Sequence, residues 1–351
     1  MNYINSRRHG YPNLARMLFS TVWLAISGCT VFTQSADMTP APETPRLLDV
    51  RYISHPPGLY GYATWLDDTT LAVQYKAELT DVLGGRIWRL GINGGSLDRI
   101  ELPKHPSCGQ DGENGYDAPH PLPDGRMGYF VSCRVPGDDL RNIRLHLMAY
   151  DTDSGTVEQL LNYAFPDFSI GTGAFAWNPA MTRGIMGDGR FYVDEQLDWY
   201  AQDSSEPLDV GLVQAYGPTW SPDGEQIAFI GSKEKGSPLA YSNLGLYIMN
   251  SDGKEVHPIL EGFHASSGVS WSPLGRWLVF PGAFGERDAE TYGLWLYDLE
   301  RNRVLQIAEG VFDVPSWSTD GKRLAVVHFS GPVDDREHRV AIVEVGPFLG
   351  D

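Results

Sequence analysis

The sequence predicts an all-β protein in which one structural unit repeats six times. Its 351 residues include 39 Gly, 24 Pro, 10 Trp, 17 Tyr and 14 Phe, a composition that favours many short strands joined by tight turns. A Trp-Ser turn motif stands at Trp220, Trp271 and Trp317, and an apolar run follows each copy. Three weaker copies give a spacing close to the roughly 40 to 50 residues of a propeller blade. We therefore expect a six-bladed β-propeller with four-stranded antiparallel blades.

The six copies differ in how closely they follow the motif. The strong copies read Trp220-Ser-Pro-Asp-Gly224, Trp271-Ser-Pro-Leu-Gly275 and Trp317-Ser-Thr-Asp-Gly321. The weaker copies read Trp65-Leu-Asp-Asp68, Pro121-Leu-Pro-Asp-Gly125 and Trp177-Asn-Pro-Ala180. We call the first residue of each motif copy its anchor. In each unit a strand ends at the anchor and a turn reverses the chain. An apolar strand then returns, followed by a third strand and a short outer strand.

The sixth unit lacks an outer strand of its own, because only six residues follow Val345. Residues 46–53 precede the first anchor at the same distance at which the other outer strands precede theirs. We expect this amino-terminal segment to complete the last blade, which would close the ring and remove two exposed sheet edges.

The Trp-Ser-Pro-Asp-Gly repeats across residues 46–346 resemble those of the TolB-like family of six-bladed propellers with WD40-like repeats. The resemblance implies this fold and says little about function. TolB itself carries an α/β domain before its propeller, whereas fewer than 20 residues separate Cys29 from the first predicted strand, so a role in Tol-Pal machinery is not expected. Propellers of this kind also gate prolyl oligopeptidases, but we find no α/β-hydrolase segment and no Gly-x-Ser-x-Gly elbow.

Residues 1–28 have the features of a bacterial lipoprotein signal peptide. They contain basic but no acidic residues, and their apolar run of about 12 residues is too short to span a membrane. Ile26-Ser27-Gly28-Cys29 resembles a lipobox, in which the Cys thiol accepts a diacylglycerol. An ordinary signal peptide with an incidental Cys is the alternative. The pair Arg7-Arg8 is a weaker match to a twin-arginine signal, because His9-Gly10 follows it.

Residues 29–45 are expected to form a Pro-rich tether between the lipid and the folded body, and residues 347–351 a short tail. Several acyl chains at a lipidated Cys29 would anchor the protein stably, whereas a single chain binds only marginally. In a host with two membranes we expect the periplasmic side of the outer membrane, because Thr30 is not the Asp that often retains lipoproteins at the inner membrane. In a host with one membrane we expect its outer face.

The formal net charge of −18 argues against a nucleic-acid partner, because phosphate binding needs concentrated Lys and Arg. Once Cys29 is used for lipid, Cys108 and Cys133 remain as an even pair in a compartment where disulfides persist. We expect them to form a disulfide; two free buried thiols are the alternative.

Loops that lead into the inner strands of a propeller converge at one mouth of its channel, which is the default binding site. The polar and aromatic candidates there are Tyr60, Tyr62, Tyr116, Asp117, His120, Tyr216, His264, Ser267 and Asp313. Among them, His120, His264 and Asp313 are candidates for a metal site or an acid-base set. Alternatively, each His caps a strand end or faces solvent. The tryptophans are expected to pack between blades.

Two groups of acidic residues are candidate cation sites or interaction surfaces. Asp111, Glu113, Asn114 and Asp117 offer oxygen ligands of the kind that calcium prefers, although a solvated acidic loop is the preferred interpretation of the pattern. Loops on the channel-mouth face form a predicted acidic rim that would attract basic partners, unless these acids serve only solubility. The rim residues are Asp138, Asp139, Glu286, Asp288, Asp334 and Asp335.

These features predict a monomeric, membrane-anchored module that binds a protein or peptide at the cell envelope, with no cofactor and no catalysis of its own. The alternative is an enzyme, a lyase or hydrolase acting at the channel mouth, with or without a divalent metal. Metal content that depends on His120 or His264 would favour the enzyme.

Overall fold

The computed structural model describes most of the predicted propeller. The described residues are 40–77, 85–110, 113–134, 144–162, 165–166, 175–187, 197–234, 244–265, 267–285, 292–313, 315–331 and 336–348. The predicted signal peptide, Cys29 and most of the tether lie outside these ranges. Within them, none of the helices has the length and apolar character that crossing a membrane requires.

The described residues form an all-β structure of antiparallel sheets, as predicted. The first sheet comprises β2 (Leu59–Trp65), β3 (Thr70–Lys76), β4 (Arg86–Gly91) and β5 (Asp98–Arg99). The second comprises β6 (Glu113–Pro121), β7 (Met127–Arg134), β8 (Arg144–Tyr150), β9 (Val157–Gln159) and β10 (Phe165–Pro166). The third comprises β11 (Ala176–Trp177), β12 (Gly184–Gly187), β13 (Leu197–Ala201) and β14 (Ser204–Leu208). Short 3₁₀ helices stand at Pro106–Cys108 and Gly346–Phe348.

The fourth sheet has eight strands because one long strand joins two repeats. Its strands are β15 (Gln214–Trp220), β16 (Gln226–Ser232), β17 (Leu244–Asn250), β18 (His257–Ala265), β19 (Ser270–Trp271), β20 (Trp277–Phe284), β21 (Tyr292–Asp298) and β22 (Arg303–Glu309). Strand β18 pairs with β17 along most of its length and with β20 at its end. The fifth sheet holds β23 (Val311–Phe312), β24 (Ser316–Trp317), β25 (Arg323–Ser330), β26 (Glu337–Glu344) and the amino-terminal β1 (Val50–Tyr52).

The turn after the inner strand has the same geometry in five of the six copies of the motif, strong and weak; the first copy, at residues 65–69, lacks it. The amide of Gly224 donates to the carbonyl of Ser221 over 2.9 Å, and equivalent bonds form in four further turns. The fifth residue of these motif copies has a positive φ. It is +75° at Gly224 and +56° at Met181, which replaces Gly in the weak copy that begins at Trp177. A left-handed residue is therefore required here even where the sequence does not supply Gly.

Indole N–H groups of three of the five anchor tryptophans link neighbouring inner strands. Trp220 Nε1 donates to the carbonyl of Ala176 over 3.2 Å, and Trp317 Nε1 donates to that of Ser270 over 3.2 Å. The first anchor does the same with the last unit, since Trp65 Nε1 donates to the carbonyl of Ser316 over 3.1 Å. These tryptophans therefore pack and bond between units, as expected.

The amino-terminal strand pairs with the fifth sheet, as the sequence predicted. Strand β1 lies antiparallel to β26 in a register that places Val50 opposite Val343 and Tyr52 opposite Ala341. The preceding residues run beside β22, where the amide of Leu48 donates to the carbonyl of Ile307 over 2.8 Å. Strand β1 is shorter than the predicted segment 46–53, but residues on both sides of it also form backbone hydrogen bonds with neighbouring strands.

Hydrophobic clusters of the described residues lie between neighbouring units and follow one another in chain order. A further cluster packs Leu71 and Val73 of β3 against Val327 of β25, so the first and fifth sheets are neighbours. The core is therefore distributed around a cycle in which every unit has a neighbour on both sides.

The predicted disulfide between Cys108 and Cys133 is present, with a Cα–Cα distance of 4.7 Å. Cys108 ends the first 3₁₀ helix and Cys133 lies near the end of β7. The bond holds the long segment before β6 against the second sheet.

Candidate functional site

A cavity of about 500 Å³ lies where the inner strands end. Its lining comes from six separate parts of the chain, within residues 62–66, 119–126, 175–179, 217–222, 268–273 and 315–319. Each part contains the end of an inner strand or the turn that follows it. The repeat therefore builds the wall of the cavity, because every unit contributes the same portion of its sequence.

The chemistry of the wall is aromatic, hydroxylic and rich in proline. The indole groups belong to Trp65, Trp177, Trp220, Trp271 and Trp317, and the hydroxyls to Thr64, Thr219, Ser221, Ser270, Ser316, Ser318 and Thr319. Among the described lining residues, Arg126 is the one with a permanent charge, and it is held by Asp124 at 2.7 Å and Glu158 at 2.6 Å. The wall is therefore suited to a largely uncharged ligand.

Most of the motif hydroxyls are committed to the turns. Ser221 Oγ donates to Asp223 Oδ1 over 2.6 Å and accepts the amide of Gln226 over 2.9 Å. Ser318 makes the same bond to Asp320 over 2.6 Å. The hydroxyl of Ser270, by contrast, has no hydrogen bond to another described residue, and this side chain is only partly buried in the wall. It is therefore a hydroxyl that a ligand can use.

Two adjacent units touch backbone to backbone at Gly217 and Gly268. Gly217 has φ +58°, and a Cβ placed there would lie 2.3 Å from the Cα of Gly268. Both glycines line the cavity, and the amide of Val269 donates to the carbonyl of Gly217 over 3.3 Å. The close approach joins β15 to the segment that leads into β19, so the wall has no room for a side chain here.

Replacing Gly217 with Ala is expected to lower the free energy of unfolding by about 2–4 kcal/mol, because backbone strain and overpacking add. The matched control is Gly211→Ala, where φ is +70° but an added Cβ meets nothing within 4 Å. That variant is expected to lose only the roughly 1–2 kcal/mol of left-handed backbone strain. Urea unfolding of both variants measures the difference. Equal losses would show that the contact with Gly268 does not restrict this position.

His120 lies in the wall of the cavity, with its ring nitrogens directed toward the protein interior. Its Nδ1 donates to the carbonyl of Ala118 over 2.9 Å, so the buried Nε2 carries no proton, and Nε2 has no hydrogen-bond partner among the described residues. A Cβ at Gly128 would lie 2.3 Å from Nε2, which shows that this nitrogen faces the sheet. Burial lowers the pKa of His120 to about 4.

This pKa gives a pH-dependent contribution to stability. In the unfolded chain His120 binds a proton as pH falls through about 6.5, whereas the folded chain resists protonation until about pH 4. The folded state should therefore lose about 3 kcal/mol between pH 7 and pH 4 through this residue. We expect His120→Gln to remove that share, so unfolding free energies of the two proteins converge as pH falls. A constant difference between pH 7 and pH 4 would contradict this prediction.

Asp117 is a half-buried carboxylate held by two neighbours rather than a residue of the cavity wall. Gln74 Nε2 donates to Oδ1 over 2.6 Å and Ser132 Oγ donates to Oδ2 over 3.1 Å. Burial raises the pKa of Asp117, and the hydrogen bond from Ser132 opposes this shift. The strand has an irregular register between Asp117 and His120.

The predicted site residues separate into two groups. Tyr62 and His120 line the cavity. The others lie nearer the starts of the inner strands or in the preceding loops. Tyr60 donates to the carbonyl of Pro56 over 2.7 Å and Tyr116 to that of Leu102 over 2.8 Å. The remaining predicted residues in this second group are Asp117, Tyr216, His264, Ser267 and Asp313.

The proposed metal set of His120, His264 and Asp313 does not form a cluster with ligand atoms within 4.8 Å of one another in the described part of the chain. His264 Nε2 instead contacts the carbonyl of Gly285 over 3.2 Å. The predicted acidic rim, Asp138, Asp139, Glu286, Asp288, Asp334 and Asp335, lies outside the described residues, as does Asp111 of the possible calcium loop.

The motif residues that form the wall were interpreted from the sequence as a fold signature alone. The signal that could have revealed their second role is the repeat itself. Equivalent turns of successive propeller units meet at one end of the channel, so Trp-Ser-Pro marks the wall wherever it recurs.

Comparison with solved structures places the fold among β-propellers. The chain superposes on TolB from Acinetobacter baumannii with a TM-score of 0.53 and 14% identity, covering 79% of this chain and 64% of that one. For a putative TolB from Agrobacterium tumefaciens the TM-score is 0.51 with 18% identity, covering 82% and 91%. For regucalcin, a calcium-binding protein from Agrobacterium tumefaciens, it is 0.52 with 14% identity, covering 87% and 97%. The chain therefore has a TolB-like β-propeller fold.

Sequence comparison gives a different indication of function. No family model matches the chain. A stretch of 132 residues is 28% identical to the uncharacterized peptidase YuxL of Bacillus subtilis (strain 168), covering 36% of this chain and 19% of that protein. This relative contradicts the expectation of a binding module without catalysis, which was wrong, and supports the alternative of an enzyme. The expectation failed because the sequence motifs report packing and turn geometry and carry no signal for or against hydrolysis.

Proposed function

We propose that this chain is a propeller hydrolase that acts on peptides, with the substrate bound in the central cavity. The observation that carries the proposal is the 132-residue similarity to a Bacillus subtilis peptidase. The cavity supports it, because its volume of about 500 Å³ lies within the roughly 300–1,000 Å³ that small-ligand sites occupy.

The wall also has the chemistry that a peptide segment needs. A peptide backbone presents one donor and one acceptor per residue, and a hydroxyl can serve either. Thr219 and Ser270 supply such groups, and the surrounding indole and proline rings can cover apolar side chains. The scarcity of charge on the described wall favours uncharged segments over ionic ones.

The test is cleavage of a panel of fluorogenic peptides by the purified chain. We expect cleavage by the wild type and its loss in Ser270→Phe, because the ring would occupy the cavity. The matched control is Ser205→Phe on the exposed outer strand β14, which should leave cleavage unchanged. Ser270→Ala separates two roles: it should keep cleavage if the hydroxyl only binds the peptide and abolish it if the hydroxyl attacks the peptide bond.

Two results would overturn the proposal. One is the absence of cleavage across peptides of different length and sequence by folded wild-type protein. The other is cleavage that Ser270→Phe leaves unaltered, since the reaction would then occur elsewhere.

We further infer that the sheets are six blades around this cavity. The cyclic order of the hydrophobic clusters, the bond from Trp65 to Ser316 and the pairing of β1 with β26 support this number. The six parts of the chain that line the cavity agree with it. An electron-density map that counts the inner strands around the channel tests the inference, and five or seven would refute it.

We also propose that the enzyme works at the cell envelope through a lipid on Cys29. The lipobox-like sequence before this residue supports the proposal. Metabolic labelling with a radioactive fatty acid should mark the wild type but not Cys29→Ala, and only the wild type should sediment with membranes. Equal labelling of the two proteins would exclude lipidation at this residue.

A further inference from the structure

Two buried histidines stack beside the disulfide, away from the central cavity. The rings of His105 and His146 have centroids 3.8 Å apart and are inclined by 22°. Their side chains are buried, with relative exposures of 7% and 5%. Ligand atoms of His105, His146 and Cys133 all lie within 4.8 Å of one another. Three groups that commonly bind metals therefore share one buried pocket.

His146 has no hydrogen bond to explain its burial. Both of its ring nitrogens are inaccessible to solvent and lack a partner among the described residues. His105, by contrast, accepts the amide of Ser107 at Nδ1 over 3.2 Å, and its Nε2 contacts Gln159 Oε1 at 3.1 Å. Burying an imidazole without any hydrogen-bond partner costs free energy, so a ligand bound to His146 would stabilise the fold.

The fold brings these groups together from two directions. His105 caps the 3₁₀ helix that ends at Cys108. Cys133 of β7 pairs with Arg144 of β8, and His146 follows Arg144 by two residues, so Cys133 and His146 share one face of the second sheet. The disulfide joins the two sets: Cys133 lies with the two imidazoles, and Cys108 is bonded to Cys133.

We propose that reduction of the Cys108–Cys133 disulfide opens a zinc site formed by Cys108, Cys133, His105 and His146. Two thiolates and two neutral imidazoles form the tetrahedral ligand set that structural zinc prefers. The two thiolate charges balance the charge of Zn²⁺, so the buried site as a whole is neutral. Zinc would also give His146 the partner that it lacks.

The chemistry balances with a dithiol as the reductant. The dithiol supplies two electrons and two protons, the S–S bond breaks, and the dithiol becomes a disulfide. Binding of Zn²⁺ then forms two Zn–S bonds and releases the two thiol protons to solvent. Thiol–disulfide exchange with the oxidised dithiol reverses the sequence: that disulfide takes up two electrons and two protons, the Cys108–Cys133 bond re-forms, and the metal is released. The site is thus a redox-dependent zinc site, separate from the proposed peptide chemistry and not dependent on it.

The test compares zinc retention by the oxidised and reduced full chain. Protein is reduced with dithiothreitol, freed of reductant by anaerobic gel filtration, loaded with Zn²⁺, desalted, and analysed for metal. We expect one zinc per reduced chain and none per oxidised chain. Substitution with Co²⁺ should give the absorption bands of tetrahedral cobalt with thiolate ligands.

Variants separate this site from adventitious binding. His146→Phe preserves a stacked ring and should abolish retention, as should His105→Asn, which can still cap the 3₁₀ helix and remain folded. His264→Phe, outside the cluster, is the control and should retain zinc. Zinc held equally by the oxidised chain, retained by His105→Asn, or absent from the reduced wild type would each overturn the proposal.

Discussion

A chain that begins at residue 54 is expected to be unable to fold as a stable monomer, whereas one that begins at residue 40 should fold fully. The shorter chain lacks β1, and the eight-residue strand β26 becomes an open edge. It also lacks buried Ile53, whose amide donates to the carbonyl of Val340 over 2.9 Å. An uncovered edge of this length is a template for aggregation.

The expected loss is large because the segment packs into two hydrophobic clusters. Leu48, Val50 and Tyr52 pack against the cluster between β22 and β26, and Ile53 belongs to the cluster between the first and fifth sheets. Removing these side chains should cost more than about 5 kcal/mol, which is comparable with the whole net stability of many domains. Thermal unfolding followed by circular dichroism, with size-exclusion chromatography, compares the two chains. Equal melting temperatures and equal elution as monomers would contradict the prediction.

The closure could be predicted because strand spacing is a property of the sequence. The offset between residues 46–53 and Trp65 matches that of the other outer strands, and the structure confirms the pairing. The turns were predictable for a similar reason, since Pro and Asp-Gly are typical of tight turns that reverse the chain. Met181 shows the limit of this reasoning, because its left-handed backbone follows from the fold and not from its side chain.

The position of the cavity could not be predicted as well. Tyr60 and Tyr116 were candidates because they are polar aromatic residues near a channel mouth. Their hydroxyls instead bond to the carbonyls of Pro56 and Leu102, in loops whose paths no local pattern specifies. The cavity lies at the other ends of the same strands. Which end of the channel forms the cavity depends on how the loops pack, and the sequence pattern does not specify that packing.

The histidine pair was missed because nothing in the sequence connects its members. His105 and His146 belong to no shared motif, and they meet only through a 3₁₀ helix and a strand of the second sheet. Strand alternation from Cys133 could have indicated that His146 faces the disulfide, once the register of β7 and β8 was known. Register is a long-range property, and local pattern fixes it only where one face is clearly apolar.

Replacing Asp298 with Ala is expected to lower the free energy of unfolding by about 3–5 kcal/mol, as for other buried ion pairs that lose one partner. The Asp298 side chain is fully buried at the end of β21. Arg276 donates to it from Nε over 2.8 Å and from Nη2 over 2.6 Å, and Arg303 Nε donates over 3.1 Å. Without the carboxylate, two guanidinium groups of mostly buried side chains lose their shared partner.

The effect should depend on pH in a direction that identifies the ion pair. Burial raises the pKa of Asp298, but the hydrogen bonds from Arg276 and Arg303 outweigh it, and the net pKa is lowered. The carboxylate therefore stabilises the fold above its unfolded pKa of about 3.9, and this contribution is lost as pH falls through the lower folded value. Unfolding free energies of wild type and Asp298→Ala should thus converge in acid.

Asp252→Ala, which breaks an exposed 2.8 Å pair with Lys254, is the matched control and should change stability little at any pH. Similar losses in the two variants at neutral pH would mean that burial adds nothing to the pair at Asp298.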